Sequence, residues 1–168
     1  MRGLQPFGSE RLVMRPMEEG DAPFVVGLRS DPENSCWFRS GAPVSLDSHL
    51  AWFRERYLND PGREEYVVEC EGRPVGVVSG QGVSDGVGAE VGYVFSREAR
   101  GRGLATEAVG ALVAHLAATR GARVVTAEVA PGNGPSEALL KRLGFKRCGG
   151  GGPFLSYKKE LGEEGRAS

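Results

Sequence analysis

Six consecutive residues, Arg100-Gly101-Arg102-Gly103-Leu104-Ala105, carry the plainest chemical signal in the chain. They lie where a strand-like run, "GAEVGYVF", gives way to a helical one, "TEAVGALVAHL". A helix starting here exposes about four unpaired backbone N–H groups and the positive end of its dipole. Glycines just before it let those donors approach a ligand closely, and Arg100 and Arg102 add positive charge at the rim. Such a turn suits a phosphate, in particular the pyrophosphate of a nucleotide-like cofactor. A plain tight turn would accept the same glycines but gives no reason for the arginines.

Two better-known phosphate signatures do not fit. No G-x-x-x-x-G-K-[ST] run exists in the chain. A dinucleotide fingerprint would need a third glycine where Thr106 stands, in a parallel unit near the start, whereas an antiparallel-looking meander precedes this turn.

The chain around the turn is of one-domain length, 168 residues with a formal net charge of -1. That charge gives no general attraction to nucleic acid or an anionic membrane. Glycine, at 26 residues, is roughly twice its ordinary share of about 7%, and the excess marks loops. No apolar run approaches the roughly 20 residues that span a bilayer, and "MRGLQPFGSERL" has no signal core, so a cytoplasmic location is expected. Cys36, Cys70 and Cys148, with His49 and His115, lack metal or disulfide spacing. No metal is expected.

The elements that must position the turn follow from periodicity. Residues 9–16 read as a strand. Residues 18–32 read as a helix that takes Pro23 in its first turn and stops near Asp31-Pro32. A second helix opens at Ser45, with Leu46, Leu50, Phe53 and Tyr57 on one face. Three strands follow: "EYVVECE", with Tyr66, Val68 and Cys70 on one face, "RPVGVVSG", with Val75 and Val77 together, and "GAEVGYVF". A tight hairpin at 71–73 joins the first two, and a glycine-rich segment, 80–88, joins the second and third. The helix after residue 101 shows Leu104, Ala108, Leu112 and Leu116 as a stripe. Then come a strand at 122–130, a short helix ended by Gly144, and two closing strands. The order β α α β β β α β α β β predicts an α+β, mixed α/β domain over 1–161, with a disordered tail at 162–168.

Arg100-Gly101-Arg102-Gly103-Leu104-Ala105 matches [Q/R]-x-x-G-x-[G/A], with a strand before it, a helix after it and "PGNGPSEALLKRLGFKR" downstream. On these residues the chain resembles the GNAT superfamily of acyl-CoA-dependent N-acyltransferases, and within it the RimJ/RimL-type branch. The resemblance covers most of the chain and is strongest over 65–146. It implies a twisted, mostly antiparallel sheet splayed in the middle and flanked by helices. It also implies acetyl-CoA as donor and direct attack on the thioester by a primary amine.

The resemblance distributes roles. Arg100, Gly101, Arg102, Gly103, Leu104, Ala105 and Thr106 would hold the pyrophosphate. The strand before them splays from its neighbour in this family, so backbone groups of Val94 and Phe95 would meet the pantetheine or the thioester oxygen. Glu90, flanked by glycines, is the candidate base, although a solvated strand carboxylate is the alternative. Asn133 would reach the pantetheine arm and Ser136 the departing thiol, though both residue types also simply cap helices. Many GNAT enzymes carry an acid tyrosine seven residues after this asparagine, where this chain has Leu140. Tyr157 is held in reserve as an acid. Trp37, Phe38 and Trp52 fall in the acceptor-covering region, beside His49 and Arg39, and could equally be core.

The expected activity is therefore acetyl transfer to a protein N-terminus, an amino sugar or a small-molecule amine. The alternative is a non-catalytic acyl-CoA-binding domain with the same fold. A nucleic-acid module is disfavoured by the acidic balance, and no membrane partner is expected. Terminal strands leave a homodimer open.

Overall fold

A computed structural model describes residues 3–38, 44–149 and 152–162. Its elements are β1 (Phe7–Gly8), β2 (Leu12–Pro16), α1 (Ala22–Ser30), α2 (Pro32–Ser35), α3 (Leu46–Glu55), β3 (Glu64–Cys70), β4 (Arg73–Ser84), β5 (Gly88–Phe95), α4 (Leu104–Arg120), β6 (Val124–Val129), α5 (Gly134–Arg142), β7 (Lys146–Cys148) and β8 (Leu155–Glu160). The strands form one sheet in the order β1-β2-β3-β4-β5-β6-β8-β7, in which β5–β6 is the parallel pair and the other neighbours are antiparallel. The expected α+β fold is present. Arg39 and residues 163–168, which carry the arginine reading and nearly all of the tail, lie outside the described residues.

Apolar periodicity divides the helices between the two faces. Leu104, Ala108, Leu112 and Leu116 of α4 are all fully buried and pack with Tyr66, Val68, Val78, Val91 and Val125 of the sheet. On the opposite face Val25 and Leu28 of α1 and Phe53 of α3 pack with Val67 and Val77. Ser45 caps α3 as expected, its side chain accepting from the Ser48 N–H.

The central irregularity lies between β5 and β6. Their ladder holds three residue pairs, ending at Glu90 with Thr126. Beyond it β5 stays paired with β4 to Phe95, and β6 stays paired with β8 to Val129. The strands therefore part from Val91 onward. At the closed end the backbones approach so tightly that a Cβ on Gly88 would stand 2.1 Å from the Val124 carbonyl oxygen. Only glycine fits there.

Some expectations need correction. A short strand, β1, precedes the first expected one and pairs with it. The chain does not leave helix for good at Asp31-Pro32. Asp31 turns extended, as a residue before proline prefers, and its carboxylate then caps a new helix, α2. β4 runs on to Ser84, well past the expected end. Val75 and Val77 were expected together, yet they pack on opposite faces, because a bulge opposite Val68 and Glu69 shifts the alternation. The 71–73 hairpin is there, with Glu71 and Gly72 both at positive φ, the geometry of a two-residue turn.

Candidate active site

Gly101 and Gly103 adopt φ 75° and 73°, a left-handed conformation that disfavours a side chain. Gly103 is also the N-cap of α4 and supplies no side-chain acceptor. The first N–H groups of α4 are thus uncapped by their own cap residue and stand beside an exposed loop. A Cβ on Gly101 would meet nothing within 4 Å. Leu104 buries its side chain completely, so it offers the loop only its backbone. Arg11 clasps this helix start to β2: its Nη1 donates to the Arg102 carbonyl at 2.9 Å and its Nε to Glu107 at 2.7 Å.

Arg100 was expected as free charge on the rim, and the structure engages it instead. It pairs with Glu33 and donates to Asn34 Oδ1 at 2.9 Å. Asn34 is buried, and its Nδ2 donates to the Phe95 carbonyl at 3.2 Å and the Leu28 carbonyl at 3.0 Å. Arg97 holds Asp31 in a two-point ion pair at 2.7 and 2.9 Å, which pulls the Asp31 carboxyl down to about 2. α2 thereby moors the free end of β5. Sequence reading missed Asn34, which looked like one more polar residue in a turn.

Below the turn lies a cleft of about 730 Å³. Glu90, Tyr93, Phe95, Ala105, Asn133 and Ser136 line it, together with Arg100, Trp37 and Phe38. It brings most of the expected site residues together. Gly101, Arg102, Gly103 and Thr106 build the turn outside this lining.

Strand geometry decides which peptide groups face the opening. The Ser96 N–H donates to the Val75 carbonyl on the β4 side at 2.9 Å. Alternation then turns the peptide groups of Val94 towards β4 and those of Tyr93 and Phe95 towards the parted side. The Phe95 carbonyl, which accepts from Asn34, follows that pattern. Val94 therefore lines the cleft through its side chain, and the contact expected from its backbone falls to Tyr93.

Glu90 lies on the α1/α3 face of the sheet, in register with Gln81 on β4 and Thr126 on β6. It is half-buried and borders the open cleft. Across the gap, Asn133 caps α5 by accepting from the Ser136 N–H at 3.4 Å. The capping alternative is thus real, yet the Ser136 hydroxyl points elsewhere: it is hydrogen-bonded to the Tyr93 hydroxyl. That pair ties β5 to the start of α5. Burial pushes the Tyr93 hydroxyl up to about 12, with the Ser136 contact opposing. Tyr93 was missed because its place in an alternating strand reads as core.

Tyr157 is ruled out as a reserve acid. It is fully buried, and its hydroxyl donates to Glu137 at 2.6 Å, away from the cleft. Leu140 is fully buried too, so the cleft holds no tyrosine from that position. Trp52 lines a second cavity of about 200 Å³ that shares Arg29, Arg63, Glu65, Val77 and Val94 with the first. It also stacks on Tyr57 at 5.4 Å, so this tryptophan is both core and wall. Among the described residues the three cysteines are unbridged, and no cluster of metal-ligating side chains is found. Among the described residues no helix is long and apolar enough to cross a membrane.

Comparison with known proteins adds an independent line. Residues 11–146 match a family model described as acetyltransferase (GNAT) domain. An uncharacterised N-acetyltransferase, p20 of Bacillus licheniformis, is 30% identical over 155 residues, covering 87% of this chain and 85% of the relative. Among solved structures, a spermidine N-acetyltransferase from Vibrio cholerae, in complex with CoA and spermine, superposes with a TM-score of 0.80 at 18% identity. It covers 95% of this chain and 100% of its own. RimL, a ribosomal-protein alpha-N-acetyltransferase in complex with coenzyme A, gives 0.79 at 18% identity, over 91% and 96%. An aminoglycoside acetyltransferase in complex with coenzyme A gives 0.76 at 20%, over 89% and 94%.

Proposed function

The chain belongs to the GNAT acetyltransferase family, and on that premise we propose that it transfers an acetyl group from acetyl-CoA to a primary amine by direct attack on the thioester. One observation carries this reading. The gap between β5 and β6 opens into a cleft lined by Tyr93, Phe95 and, from the first turn of α4, Ala105, and the uncapped start of that helix lies next to it. That arrangement fits acetyl-CoA: the 101–106 turn would hold the pyrophosphate, and the Tyr93 and Phe95 peptide groups would pair with the pantetheine arm. Acetyl-CoA supplies an acyl carbon already activated by its thioester.

The residues of the chain do the rest. An alkylamine titrates near a lysine's value of about 10.4, so it arrives protonated. Glu90, directly or through a water, takes that proton. The freed nitrogen bonds to the acyl carbon, and an N–H on the open side of β5 stabilises the oxygen as it gains charge. The carbon–sulfur bond then breaks. Ser136, held by the Tyr93 hydroxyl, hydrogen-bonds the leaving thiolate and relays to it the second proton, which the attacking nitrogen sheds as it becomes an amide, so that an amide and a free thiol remain. A serine is a poor acid, so its part is to hold the thiolate and relay that proton, with the Tyr93 hydroxyl fixing its orientation.

The rival reading, a non-catalytic acyl-CoA-binding domain, predicts binding without turnover. Release of free thiol from acetyl-CoA with a panel of primary amines separates the two. Amine-dependent thiol release at a rate above that of buffer supports the enzyme. CoA binding with no release for any amine supports the rival.

A further inference from the structure

The smaller cavity shares Arg29, Arg63, Glu65, Val77 and Val94 with the main cleft, and three of these shared walls are charged. Arg29 of α1 is half-buried, with its guanidinium 4.8 Å from the centre of the Phe38 ring. Burial lowers its pKa, the nearby Arg63 lowers it further, and Glu65 opposes both. Arg63 stacks on Trp52 at 5.1 Å and pairs with Glu65 at 2.8 Å. Glu65 itself is buried. Beside them stands His49, 4% exposed, whose Nε2 has no hydrogen-bond partner among the described residues. Burial holds that imidazole below its ordinary pKa, so it is neutral at pH 7.

Among the described residues that line this cavity, two guanidinium groups stand against one carboxylate, which leaves a net positive charge there. The orphaned imidazole nitrogen adds a neutral hydrogen-bonding atom. A buried polar atom without a partner is costly unless a ligand or water meets it. Half-buried Arg29 has only Glu65 to oppose its charge among the described residues of this cavity, and that carboxylate already pairs with Arg63. Val25, Leu28 and Phe53 supply the apolar contact on this side, while the His49 ring lies against Trp52 and Phe53.

We infer that the acceptor amine also carries an anionic group, a carboxylate or a phosphate, which docks between Arg29, Arg63 and His49 while its amine faces Glu90. This rests on the acetyltransferase reading for the role of Glu90, but the anion pocket stands by itself. It makes a polycationic acceptor the wrong substrate for this chain: a second ammonium reaching the pocket would meet two guanidinium groups.

The test uses matched pairs in the thiol-release assay: glucosamine 6-phosphate against glucosamine, and leucine against leucine amide, with spermidine as a polycation. We expect the anionic member of at least one pair to be favoured by about tenfold or more in kcat/KM, as a charge-assisted pair would give. Which pair responds tells phosphate from carboxylate. Arg29→Met should collapse that ratio and Arg29→Lys should restore part of it, with CoA binding as the check on folding. Equal or reversed preference in both pairs, or a ratio unmoved by Arg29→Met, overturns the inference. If no amine turns over, fluorescence of Trp52, which lines the pocket, reports binding of the same compounds directly. Quenching by glucosamine 6-phosphate or leucine but not by its partner, lost in Arg29→Met, upholds the pocket even where the enzyme reading fails. No difference within either pair overturns it.

Discussion

The two faces of the sheet are built from opposite materials. Under α4 the contacts are mostly apolar, from Met14 and Tyr66 across to Val91 and Val125, with one polar cluster at the edge where Glu64 meets the Tyr66 hydroxyl and Arg120. Under α1 and α3 the same strands present Glu65, Ser79, Gln81 and Glu90, with Arg29 and His49 set over them. The difference teaches where stability and chemistry reside. A sheet needs one dry face to fold, and this one concentrates its dry contacts on the α4 side. The α1/α3 face keeps only a small apolar cluster and gives the remaining area to groups that folding alone would not select.

Substitutions should split along that line. The largest effect is expected at Glu90→Gln, which leaves the fold intact and lowers kcat by about 10²–10⁴-fold, the usual contribution of a general base. The deficit should shrink as pH rises, because more amine arrives already deprotonated. Steady-state rates across pH measure it, and full activity would remove Glu90 from the mechanism. On the other face, Leu112→Ala should leave Glu90 and its surroundings in place yet cost about 2–5 kcal/mol in denaturant unfolding. A cost below one would mean that the α4 face is not the stabilising one.

Smaller effects sharpen the picture at the gap. Ser136→Ala and Tyr93→Phe should each lower kcat about tenfold, and the double variant should be little worse than either, since residues acting as a unit are not additive. Independent effects would make Ser136 only part of the α5 N-terminus. The smallest effect concerns His115, stacked on Phe7 at 4.0 Å beneath α4. Burial lowers its pKa, with Glu64 opposing. The native state thus binds its proton less readily than the unfolded chain, whose histidine titrates near 6.5. Stability is then unaffected above that pH and falls as pH drops below it. Melting curves from pH 7 to 5.5 should show a decline of a few degrees, part of which disappears in His115→Phe.

Much of this was legible in the residues, because local physics sets it. The stripe of α4, the strand 88–95 and the Gly101–Gly103 turn depend on spacing and on φ, which composition reveals. The Ser45 cap and the Glu71-Gly72 hairpin are of the same kind. What stayed hidden depends on contacts distant in sequence. Asn34 meets Phe95 only because α2 folds back onto β5. Tyr93 reaches Ser136 only because β5 and β6 part. The direction of the Val94 peptide needs the β4 register. The bulge that sends Val75 and Val77 to opposite faces is likewise a property of the β3–β4 pair, with no signature in either strand.

The central claim is that the 101–106 turn and the gap beside it receive acetyl-CoA. Calorimetric titration of the native chain and of Gly103→Glu tests it most directly, using acetyl-CoA, CoA and ATP in turn. Glutamate at a φ of 73° would be strained and would set a carboxylate at the helix start, against the pyrophosphate. The account predicts saturable binding of both CoA species and no comparable binding of ATP by the native chain, with CoA binding lost in the variant while its circular dichroism is retained. Absence of CoA binding by the native chain, or equal affinity in a folded Gly103→Glu, would contradict it.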